Sequence, residues 1–295
     1  MTSKTIDGKT IAREIRELLL QNSQKLAEKD IILKMAIIHI GDDPASLSYT
    51  KSIQRLSSKL NIGVEVYSFK ANDDCDSVIG GIERIAQNKD IKGVIVQEPI
   101  PSNFNREEIV SRIPPSKDID CMNPINLGRV LRGNYTFAPS TPLGVLKILE
   151  YENIDVNGKH VVIVGRSNIV GKPLANLLLI KGKGGNATVT VCHSRTRNLQ
   201  DFTKQADILV VAIGKARFIT GDMVKQGAII IDVGINDFVN DEGKHKLVGD
   251  VDFDSMMGIA SSITPVPGGV GPITTLMLLS NLLKTAGINK ATSPL

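Results

Sequence analysis

The sequence predicts an α/β protein with two domains, an N-terminal α/β domain and a C-terminal Rossmann-like domain built on a parallel sheet. Short β-branched apolar runs alternate with amphipathic stretches along the chain, which is typical of strand–helix–strand units. The stretch 160–173, HVVIVGRSNIVGKP, is predicted to be a buried strand that breaks at a glycine into a turn and a helix. Prolines and a polar loop between positions 99 and 124 interrupt the alternation. We therefore expect domains at 1–145 and 146–272, with a helix at about 273–290 completing the first domain.

Composition excludes several classes of protein. The chain has 295 residues, 42% hydrophobic and 22% charged, so we expect a soluble globular protein. Its net charge of +4 is small and dispersed, which argues against a nucleic acid partner. The sequence has no signal-peptide pattern and no run apolar enough to span a membrane, so we expect a cytoplasmic protein. The chain has three cysteines that lie far apart, so we expect no disulfide framework. The cysteines and the four histidines also lack the spacing of metal ligands, so we expect no metal site.

The first part of the chain alternates helices with strands. The predicted elements are a helix over 5–29, strands over 32–40, 64–69 and 93–97, and helices after Pro44 and over 77–88. The apolar face of the first helix is formed by Ile11, Ile15, Leu18 and Leu19. Asp43 is a natural N-cap for the second helix, and Pro44 is a natural first helical residue. The apolar face of this helix is formed by Tyr49, Ile53, Leu56 and Leu60.

The second part continues the alternation after a polar loop at 117–124, where ligand contacts are expected. A helix is predicted up to about Tyr151. The later predicted elements are strands over 160–164, 188–192, 208–212 and 228–233, and helices over 173–180 and 273–283. The loop 264–272 holds three glycines and three prolines, so it is expected to be rigid and to let another group approach its backbone.

The turn after the 160–164 strand is predicted to bind a dinucleotide, because free N–H groups at a helix N-terminus can hold phosphate. By itself the turn fits an ordinary strand–turn–helix unit equally well, since it departs from the G-x-G-x-x-G pattern. The next strand ends in His193-Ser194-Arg195, with no carboxylate to bind a free ribose hydroxyl. Because Arg166 is also available, NADP is favoured over NAD. Gly214 and Gly234 stand at later strand ends, where a cofactor would pass.

Together, the motifs make the chain similar to a known family from end to end. They are Ile6-Asp7-Gly8-Lys9, GDDPAS at 41–46 followed by Tyr49, Gln97 with Pro99 and Pro101, KDID at 117–120, NPINLGR at 123–129, STPLG at 140–144, GRSNIVGKP at 165–173, CHSRT at 192–196, IDVGIN at 231–236, GDVDF at 249–253 and TPVPGGVGPIT at 264–274. The chain resembles the methylenetetrahydrofolate dehydrogenase/methenyltetrahydrofolate cyclohydrolase family of the FolD type. GRSNIVGKP and PVPGGVGP are highly specific together.

The resemblance implies an NADP-dependent enzyme of one-carbon metabolism and purine biosynthesis, a homodimer that binds tetrahydrofolate derivatives between its domains. It implies that Tyr49 stacks on the folate ring, that Asp120 hydrogen-bonds the pterin, and that Gln97 works beside a catalytic lysine. Without the resemblance, the spacing of Tyr49 fits a tyrosine of the core equally well. Asp120 likewise fits a residue that stabilises a turn. Further substrate contacts are expected from Pro267, Gly268 and Gly269. The expected cofactor-binding residues are Gly165, Arg166, Ser167, Ile169, Ser194, Arg195, Gly214, Gly234 and Ile235.

The chain departs from the family at the lysine, whose position holds Ile53. Lys51 and Arg55 lie on other faces of the predicted helix and cannot replace it. Glu98 stands where the family usually has leucine, and Cys121 where it usually has glycine. We interpret Cys121 as a small buried residue, because no base motif accompanies it.

The missing lysine should affect the two family reactions unequally. Hydride transfer needs mainly correct placement, whereas cyclohydrolysis needs a group that moves protons. We therefore expect a dehydrogenase with weak or absent cyclohydrolase. One alternative is a fully bifunctional enzyme in which another group activates water, Glu98 being a candidate base, although a solvated surface glutamate is the simpler interpretation. A second alternative is a catalytically silent folate or nucleotide binder.

Overall fold

The structure is a computed structural model that describes residues 2–239, 243 and 245–288. The described chain divides into two compact units. The first unit holds residues 2–14 and 141–274, and the second holds residues 15–140 and 275–288. The N-terminal helix and the last helix each contribute residues to both units.

Helices and strands alternate along most of the chain. The helices are α1 (Gly8–Ala27), α2 (Pro44–Lys59), α3 (Cys75–Gln87), α4 (Arg106–Ser111), α5 (Pro124–Leu131), α6 (Ser140–Tyr151), α7 (Gly171–Leu179), α8 (Leu199–Thr203) and α9 (Gly271–Lys284). The strands are β1 (Lys4–Thr5), β2 (Lys34–Ile40), β3 (Gly63–Phe69), β4 (Gly93–Val96), β5 (His160–Val164), β6 (Thr188–Cys192), β7 (Ile208–Val211), β8 (Ile229–Asp232), β9 (Asn236–Val239), β10 (His245–Val248) and β11 (Ser262–Ile263).

The second unit is built on a three-stranded parallel sheet with the order β3-β2-β4. β2 is almost wholly buried, because the apolar run Met35–Ile38 packs on both faces of the sheet. Apolar side chains of β2, β4 and α3 form one core with residues of the segment before and within α4. Helix α2 begins as predicted, since Asp43 accepts a hydrogen bond from the Ser46 N–H (2.8 Å) and Pro44 follows the cap.

The first unit is built on a six-stranded parallel sheet with the order β1-β11-β8-β7-β5-β6. The four neighbouring strands β8, β7, β5 and β6 are the β-branched runs predicted from the sequence, and their side chains contribute to a second core. Strands β9 and β10 form a separate antiparallel hairpin. The carboxyl ends of β5 to β8 lie at one edge of the sheet, where α/β proteins bind ligands.

The predicted α/β class with parallel sheets is confirmed, and several predicted element boundaries are wrong. The first helix, predicted over 5–29, spans Gly8–Ala27, and Thr5 belongs instead to β1, which pairs with β11. Leu18 is 44% exposed rather than buried. Ile32 is 72% exposed and precedes β2 rather than belonging to it. The segment 99–124, where prolines and a polar loop interrupt the predicted alternation, contains α4, and α5 begins at its last residue, Pro124.

Candidate active site

In the second unit, the candidate site lies at the carboxyl ends of β2 and β4. The Ser46 hydroxyl, in the first turn of α2, donates to the Glu98 carbonyl oxygen (2.5 Å) and ties this helix to the segment after β4. Farther along α2, the Thr50 hydroxyl is 2.8 Å from Nε2 of His39 on β2. These contacts fix α2 over the sheet edge. Tyr49 lies on α2 between Ser46 and Thr50 in sequence, one helical turn beyond the first of these contacts.

Tyr49 and Asp120 lie close enough to interact electrostatically. The Ser140 hydroxyl donates a hydrogen bond to the Asp120 carboxylate (3.0 Å). Burial raises the pKa of Asp120 to about 7, an effect that the Ser140 hydrogen bond opposes. Burial also raises the pKa of Tyr49 to about 12; Asp120 acts in the same direction, and a hydrogen bond with Thr275 acts against it. Near neutral pH, the pocket therefore combines a neutral phenol with a carboxyl group that changes charge.

A second aspartate, Asp118, holds the loop that carries Asp120. It is almost fully buried. Its carboxylate accepts hydrogen bonds from the backbone N–H groups of Met122 and Asn123 (both 2.9 Å) and from the Asn126 side chain (2.8 Å). Burial raises the pKa of Asp118, and these three hydrogen bonds oppose that effect. Sequence reasoning missed this role, although the spacing of Asp118 before two asparagines is a usable signal.

Gln97 follows β4 directly and is buried. Its backbone N–H donates to the Ile38 carbonyl oxygen (2.9 Å), whereas its side-chain Nε2 finds no acceptor among the described residues. A buried amide donor without a partner costs about 1–3 kcal/mol. The position is therefore suited to a ligand that brings its own acceptor.

Ile53 lies on α2 one helical turn after Tyr49 and is 0% exposed. The neighbouring cationic residues of α2, Lys51 and Arg55, are exposed. The charged residue that acts on the Tyr49 phenol is Asp120, an acid. At the position of the family lysine, the helix thus presents a buried hydrocarbon.

The Glu98 side chain is 35% exposed, and its carboxylate is paired rather than free. One carboxylate oxygen accepts from Nε of Arg106 (2.5 Å), and the other accepts from the Ile100 N–H (3.2 Å). The guanidinium also lies 3.7 Å from the Met122 sulfur. Both oxygens of Glu98 therefore have partners, so the hypothesis of a free glutamate base is not supported. Sequence reasoning missed Arg106 altogether.

Cys121 is buried and adopts a left-handed conformation, with φ at +57°. Glycine adopts this conformation without a steric cost, which explains why glycine is usual at the position. The Cys121 sulfur lies 3.4 Å from the Phe137 carbonyl oxygen, and burial raises the pKa of the thiol. The thiol is therefore a small buried group rather than a nucleophile.

In the first unit, the turn after β5 is packed so tightly that two of its glycines have no room for a side chain. A Cβ atom on Gly165, whose φ is +143°, would lie 2.3 Å from the Ala212 carbonyl oxygen. A Cβ atom on Gly171 would lie 2.0 Å from the Gly165 carbonyl oxygen, so α7 begins directly against the strand end. Arg166 and Ser167 are exposed between these glycines. The turn therefore offers its backbone and a cation to a ligand at the start of α7.

The turn after β6 lies beside the turn after β5, because Cys192 pairs with Val164 in the parallel sheet. It is closed by a hydrogen bond from the His193 N–H to the Thr196 hydroxyl (2.9 Å). Ser194 and Arg195 are exposed on it. Two neighbouring turns thus carry an arginine each, and neither holds a carboxylate.

Farther along the same edge, Asp250 binds the loops after β7 and β8. Its carboxylate accepts from three consecutive backbone N–H groups, those of residues 213–215 (2.6–2.9 Å), and from the Asn236 side chain (2.9 Å). Asp232 accepts from the N–H groups of Gly234, Asp250 and Val251 (2.9–3.0 Å). Burial raises the pKa of Asp232 to about 7, and these hydrogen bonds oppose the rise.

The glycines at this edge are explained by the two carboxylates. A Cβ atom on Gly234 would lie 2.2 Å from the Asp250 carboxyl carbon, and one on Gly249 would lie 1.8 Å from an Asp232 oxygen. Gly214, whose φ is +66°, donates its N–H to Asp250. Gly234, predicted as a cofactor contact, is thus also required by the Asp250 carboxylate, whereas Gly214, predicted as another, is favoured by its positive φ.

The remaining predicted contacts also lie in the first unit. Ile235 is 60% exposed beside this edge, and Ile169 is half-buried in the turn before α7. Pro267, Gly268 and Gly269 form a loop in which the peptide bond before Pro267 is cis and Gly268 has a φ of +113°. A Cβ atom on Gly8 would lie 1.9 Å from the Gly269 carbonyl oxygen, so this loop packs on the start of α1.

The Rossmann-like parallel sheet and the tight glycine turn at the start of α7 are features of dinucleotide-binding α/β proteins. A family model described as tetrahydrofolate dehydrogenase/cyclohydrolase, catalytic domain, matches residues 6–120. Its companion, the NAD(P)-binding domain, matches residues 139–290. The chain belongs to the tetrahydrofolate dehydrogenase/cyclohydrolase family. It is accordingly an enzyme with dehydrogenase activity.

Relatives resemble the chain along almost its whole length. It is 46% identical over 286 residues to the bifunctional protein FolD of Halalkalibacterium halodurans, covering 97% of this chain and 99% of that protein. The Bacillus subtilis protein of the same name is 45% identical, with 97% and 98% covered. The bifunctional enzyme FolD of Campylobacter jejuni has a structure with a TM-score of 0.90 and 41% identity, covering 97% and 99%. The Trypanosoma brucei FolD structure, complexed with NADP and an inhibitor, has a TM-score of 0.90 and 31% identity, covering 97% of each chain.

Two negative findings concern residues 2–239, 243 and 245–288. No helix in these ranges is long and apolar enough to cross a membrane. They also contain no cluster of three or more histidine, cysteine or acidic side chains suited to a metal ion.

The Asp250 network yields a prediction about stability. Asp250→Asn replaces a carboxylate oxygen by an amide group that faces backbone N–H donors, so the free energy of unfolding should fall by about 3 kcal/mol. Asp252→Asn, two residues away, is the control and should change it by less than about 1 kcal/mol. Chemical denaturation of both variants measures the difference. Equal stability of the two variants would show that Asp250 does not hold these loops.

Proposed function

We propose that the chain is an NADP-dependent 5,10-methylenetetrahydrofolate dehydrogenase whose cyclohydrolase activity is weak or absent. The observation that carries the proposal is Ile53, which is buried on α2 one helical turn after Tyr49, in a unit that retains Tyr49, Gln97 and Asp120. The pocket keeps the groups expected to bind the folate ring and lacks the amine expected to move protons.

The cofactor edge of the first unit fits NADP. The tight turn between Gly165 and Gly171 sets the start of α7 directly against the end of β5, and a helix N-terminus at this place suits a pyrophosphate. Arg166 and Arg195 on the neighbouring turns suit a ribose 2′-phosphate, and no carboxylate favours a free hydroxyl there. Bound NADP supplies the hydride acceptor. Gly214, Gly234 and Ile235 are proposed to contact it from the ends of β7 and β8.

Asp120 and Tyr49 are proposed to position the folate. An ionised Asp120 accepts hydrogen bonds from ring N–H groups, and the Tyr49 ring offers a flat apolar face for stacking. The unpartnered Gln97 amide can donate to the substrate. Pro267, Gly268 and Gly269 are proposed as further substrate contacts. Hydride transfer from the one-carbon bridge leaves a delocalised cation and requires no proton acceptor, so positioning suffices.

Cyclohydrolysis makes a different demand, because water must be activated and a ring nitrogen protonated. General acid–base catalysis typically contributes about 10²–10⁴-fold. Ile53 contributes none of it. Glu98 is paired with Arg106, and Tyr49, with a pKa of about 12, is a poor base near neutral pH. The hydrolytic step therefore loses more than the dehydrogenase step.

A fully bifunctional enzyme is the second candidate, and the names of the relatives favour it. Asp120, with a pKa of about 7, is the group in the pocket that could exchange a proton near neutrality. Burial also lowers the pKa of Lys284 to about 8, although its ammonium donates to Thr136 and Asn281. A silent binding protein is disfavoured because the cofactor turns are kept.

The proposal also places the enzyme in one-carbon metabolism, including purine biosynthesis, as a cytoplasmic homodimer. Support for this comes from the family to which the chain belongs. Light scattering on the purified protein measures the oligomeric state, and a monomer at working concentration would contradict the dimer.

Restoring the amine tests the role of residue 53. Ile53→Lys should raise methenyltetrahydrofolate hydrolysis by about 10²-fold, because it returns a proton-handling group to the pocket. Ile53→Met is the control, since it adds a long side chain without an amine. NADP reduction by methylenetetrahydrofolate, measured in parallel, shows that each variant is folded. The proposal fails if the unmodified protein already hydrolyses as fast as it reduces NADP.

Removing a phosphate-binding cation tests the cofactor. Arg195→Gln should raise the KM for NADP by about tenfold or more and leave the KM for NAD nearly unchanged, because a charge-assisted hydrogen bond contributes about 1.5–3 kcal/mol. Arg197→Gln, a change at an exposed arginine two residues away, is the matched control. An equal effect on both cofactors would contradict the assignment.

The titration of Asp120 predicts a pH dependence. Its folded-state pKa of about 7 means that the acceptor form is lost as the pH falls through about 7. The KM for methylenetetrahydrofolate should therefore rise on acidification, while Asp120→Asn should have a high KM that does not change over the same range. Steady-state kinetics between about pH 6 and 9 give the profile. A flat profile for the unmodified protein would exclude Asp120 as the titrating group.

A further inference from the structure

The side chain of Asn281, on α9, bridges two segments of the second unit. Its amide Nδ2 donates to the Ile119 carbonyl oxygen (2.8 Å) and to the Ala138 carbonyl oxygen (2.9 Å). All three residues are 0% exposed. In the part of the chain that the structure describes, no backbone N–H donates to either carbonyl. Since a buried carbonyl without a donor is unfavourable, these two hydrogen bonds fix both segments to α9.

The bridged segments carry the two side chains of the Asp120–Ser140 hydrogen bond. Ile119 directly precedes Asp120, and Ala138 lies two residues before Ser140. The Ser140 hydroxyl and the Asp120 carboxylate are 3.0 Å apart, although 20 residues separate them in the chain. Their distance therefore depends on how the two segments are held, and the Asn281 amide contacts the backbone of both.

Lys284, one helical turn after Asn281 on α9, orients the amide. Its ammonium donates to the Asn281 Oδ1 atom (3.2 Å) and to the Thr136 carbonyl oxygen (3.1 Å). Because Oδ1 is occupied by this donor, Nδ2 is directed at the two backbone carbonyls. The amide of Asn281 thus has one defined orientation.

Helix α9 also contacts the other group proposed to bind the folate ring. The Thr275 side chain forms a hydrogen bond with the Tyr49 phenol. Thr275 and Asn281 belong to the part of α9 that lies in the second unit. One helix therefore contacts Tyr49 directly and the backbone beside Asp120 through Asn281.

We propose that Asn281 is a positioning residue for Asp120: by holding Ile119 and Ala138 on α9, it keeps the Asp120 carboxylate within hydrogen-bond distance of Ser140 and sets its place for the folate ring. The proposal rests on the folate-binding role of Asp120 given above. Asn281 acts through the backbone of the second unit, so its loss should weaken substrate binding and leave the cofactor edge of the first unit unchanged.

The test is a titration of the Asp120 carboxyl carbon by NMR, in protein labelled with ¹³C at aspartate and assigned by comparison with Asp120→Asn. Ser140→Ala removes a hydrogen bond to the carboxylate and should raise the midpoint by about half a pH unit or more. Asn281→Leu keeps the size of the side chain, removes its donors and should raise the midpoint at least half as much. The double variant should match Ser140→Ala, because the same hydrogen bond is lost only once.

These variants leave the charges around Asp120 in place. In the described part of the chain, the charged residues that act on it are Asp118, Glu98 and Arg106, and Tyr49 interacts with it as a phenol. All four residues are kept in each variant. A midpoint shift therefore reports the hydrogen bond rather than a lost charge.

The matched control is Thr203→Val, in the first unit. The Thr203 hydroxyl is also buried and donates to a backbone carbonyl oxygen, that of Met223 (2.6 Å). Its loss should destabilise the protein without moving the Asp120 midpoint. A midpoint that is the same in Asn281→Leu and in the unmodified protein would overturn the proposal. An equal shift in Thr203→Val, or a double variant whose shift is the sum of its parts, would overturn it as well.

A milder variant keeps the test decisive if Asn281→Leu does not fold. Asn281→Ser retains one hydroxyl donor, but its side chain is too short to span the two carbonyls. It should raise the Asp120 midpoint in the same direction by a smaller amount. If it is the variant that folds, an unchanged midpoint in it overturns the proposal.

Kinetics give a second readout. Asn281→Leu should raise the KM for methylenetetrahydrofolate about fivefold and leave kcat and the KM for NADP within about twofold, because a binding interaction is weakened. Equal increases in both KM values would indicate a merely structural role and overturn the proposal. The NMR titration needs no turnover, so the two failures are distinguishable. Absence of NADP reduction in the unmodified protein refutes the proposed function, whereas turnover without a midpoint shift refutes the role of Asn281.

Discussion

Buried carboxylates that accept hydrogen bonds from backbone N–H groups fix loops in each of the two units. Asp118 binds the loop that carries Asp120, and Asp232 and Asp250 bind the loops after β7 and β8. Each carboxylate is removed from water, so its hydrogen bonds are strong and their loss leaves several donors unsatisfied. Asp120, Gly214 and Gly234, which are proposed to bind ligand, lie on loops that these three side chains fix.

The same desolvation determines the chemistry of the pocket. Burial raises the pKa of Asp120 to about 7, and the position of the family lysine holds Ile53, which provides no compensating charge. Under the proposed function, Asp120 binds the folate ring and the site lacks the family lysine for proton transfer. This difference separates a reaction that needs positioning from one that needs acid–base catalysis.

Local signals in the sequence predicted much of the fold. Asp43 and Pro44 identified the start of α2, because capping depends on neighbouring residues. The β-branched runs identified strands β5 to β8 for the same reason, since the pattern of a buried strand is local. Long-range pairing was not predictable in this way. The two-residue strand β1 exists because it pairs with β11, more than 250 residues later. Leu18 follows the helical period, yet tertiary packing leaves it exposed.

The site was predictable to a similar extent. Tyr49, Gln97, Asp120 and the residues of the glycine turn followed from motifs, and their ligand contacts remain predictions. The roles of Asp118 and Asp250 became visible only from hydrogen bonds to backbone donors, which a side-chain motif does not encode. The pairing of Glu98 with Arg106, eight residues away, depends on the chain reversal before α4.

The separation of the two reactions is tested most directly by following the products when the unmodified protein converts methylenetetrahydrofolate and NADP. Accumulation of methenyltetrahydrofolate in step with NADPH, with formyltetrahydrofolate appearing only at the rate seen in buffer, is the predicted result. Formyltetrahydrofolate that appears together with NADPH, with no accumulation of the methenyl compound, would contradict the account.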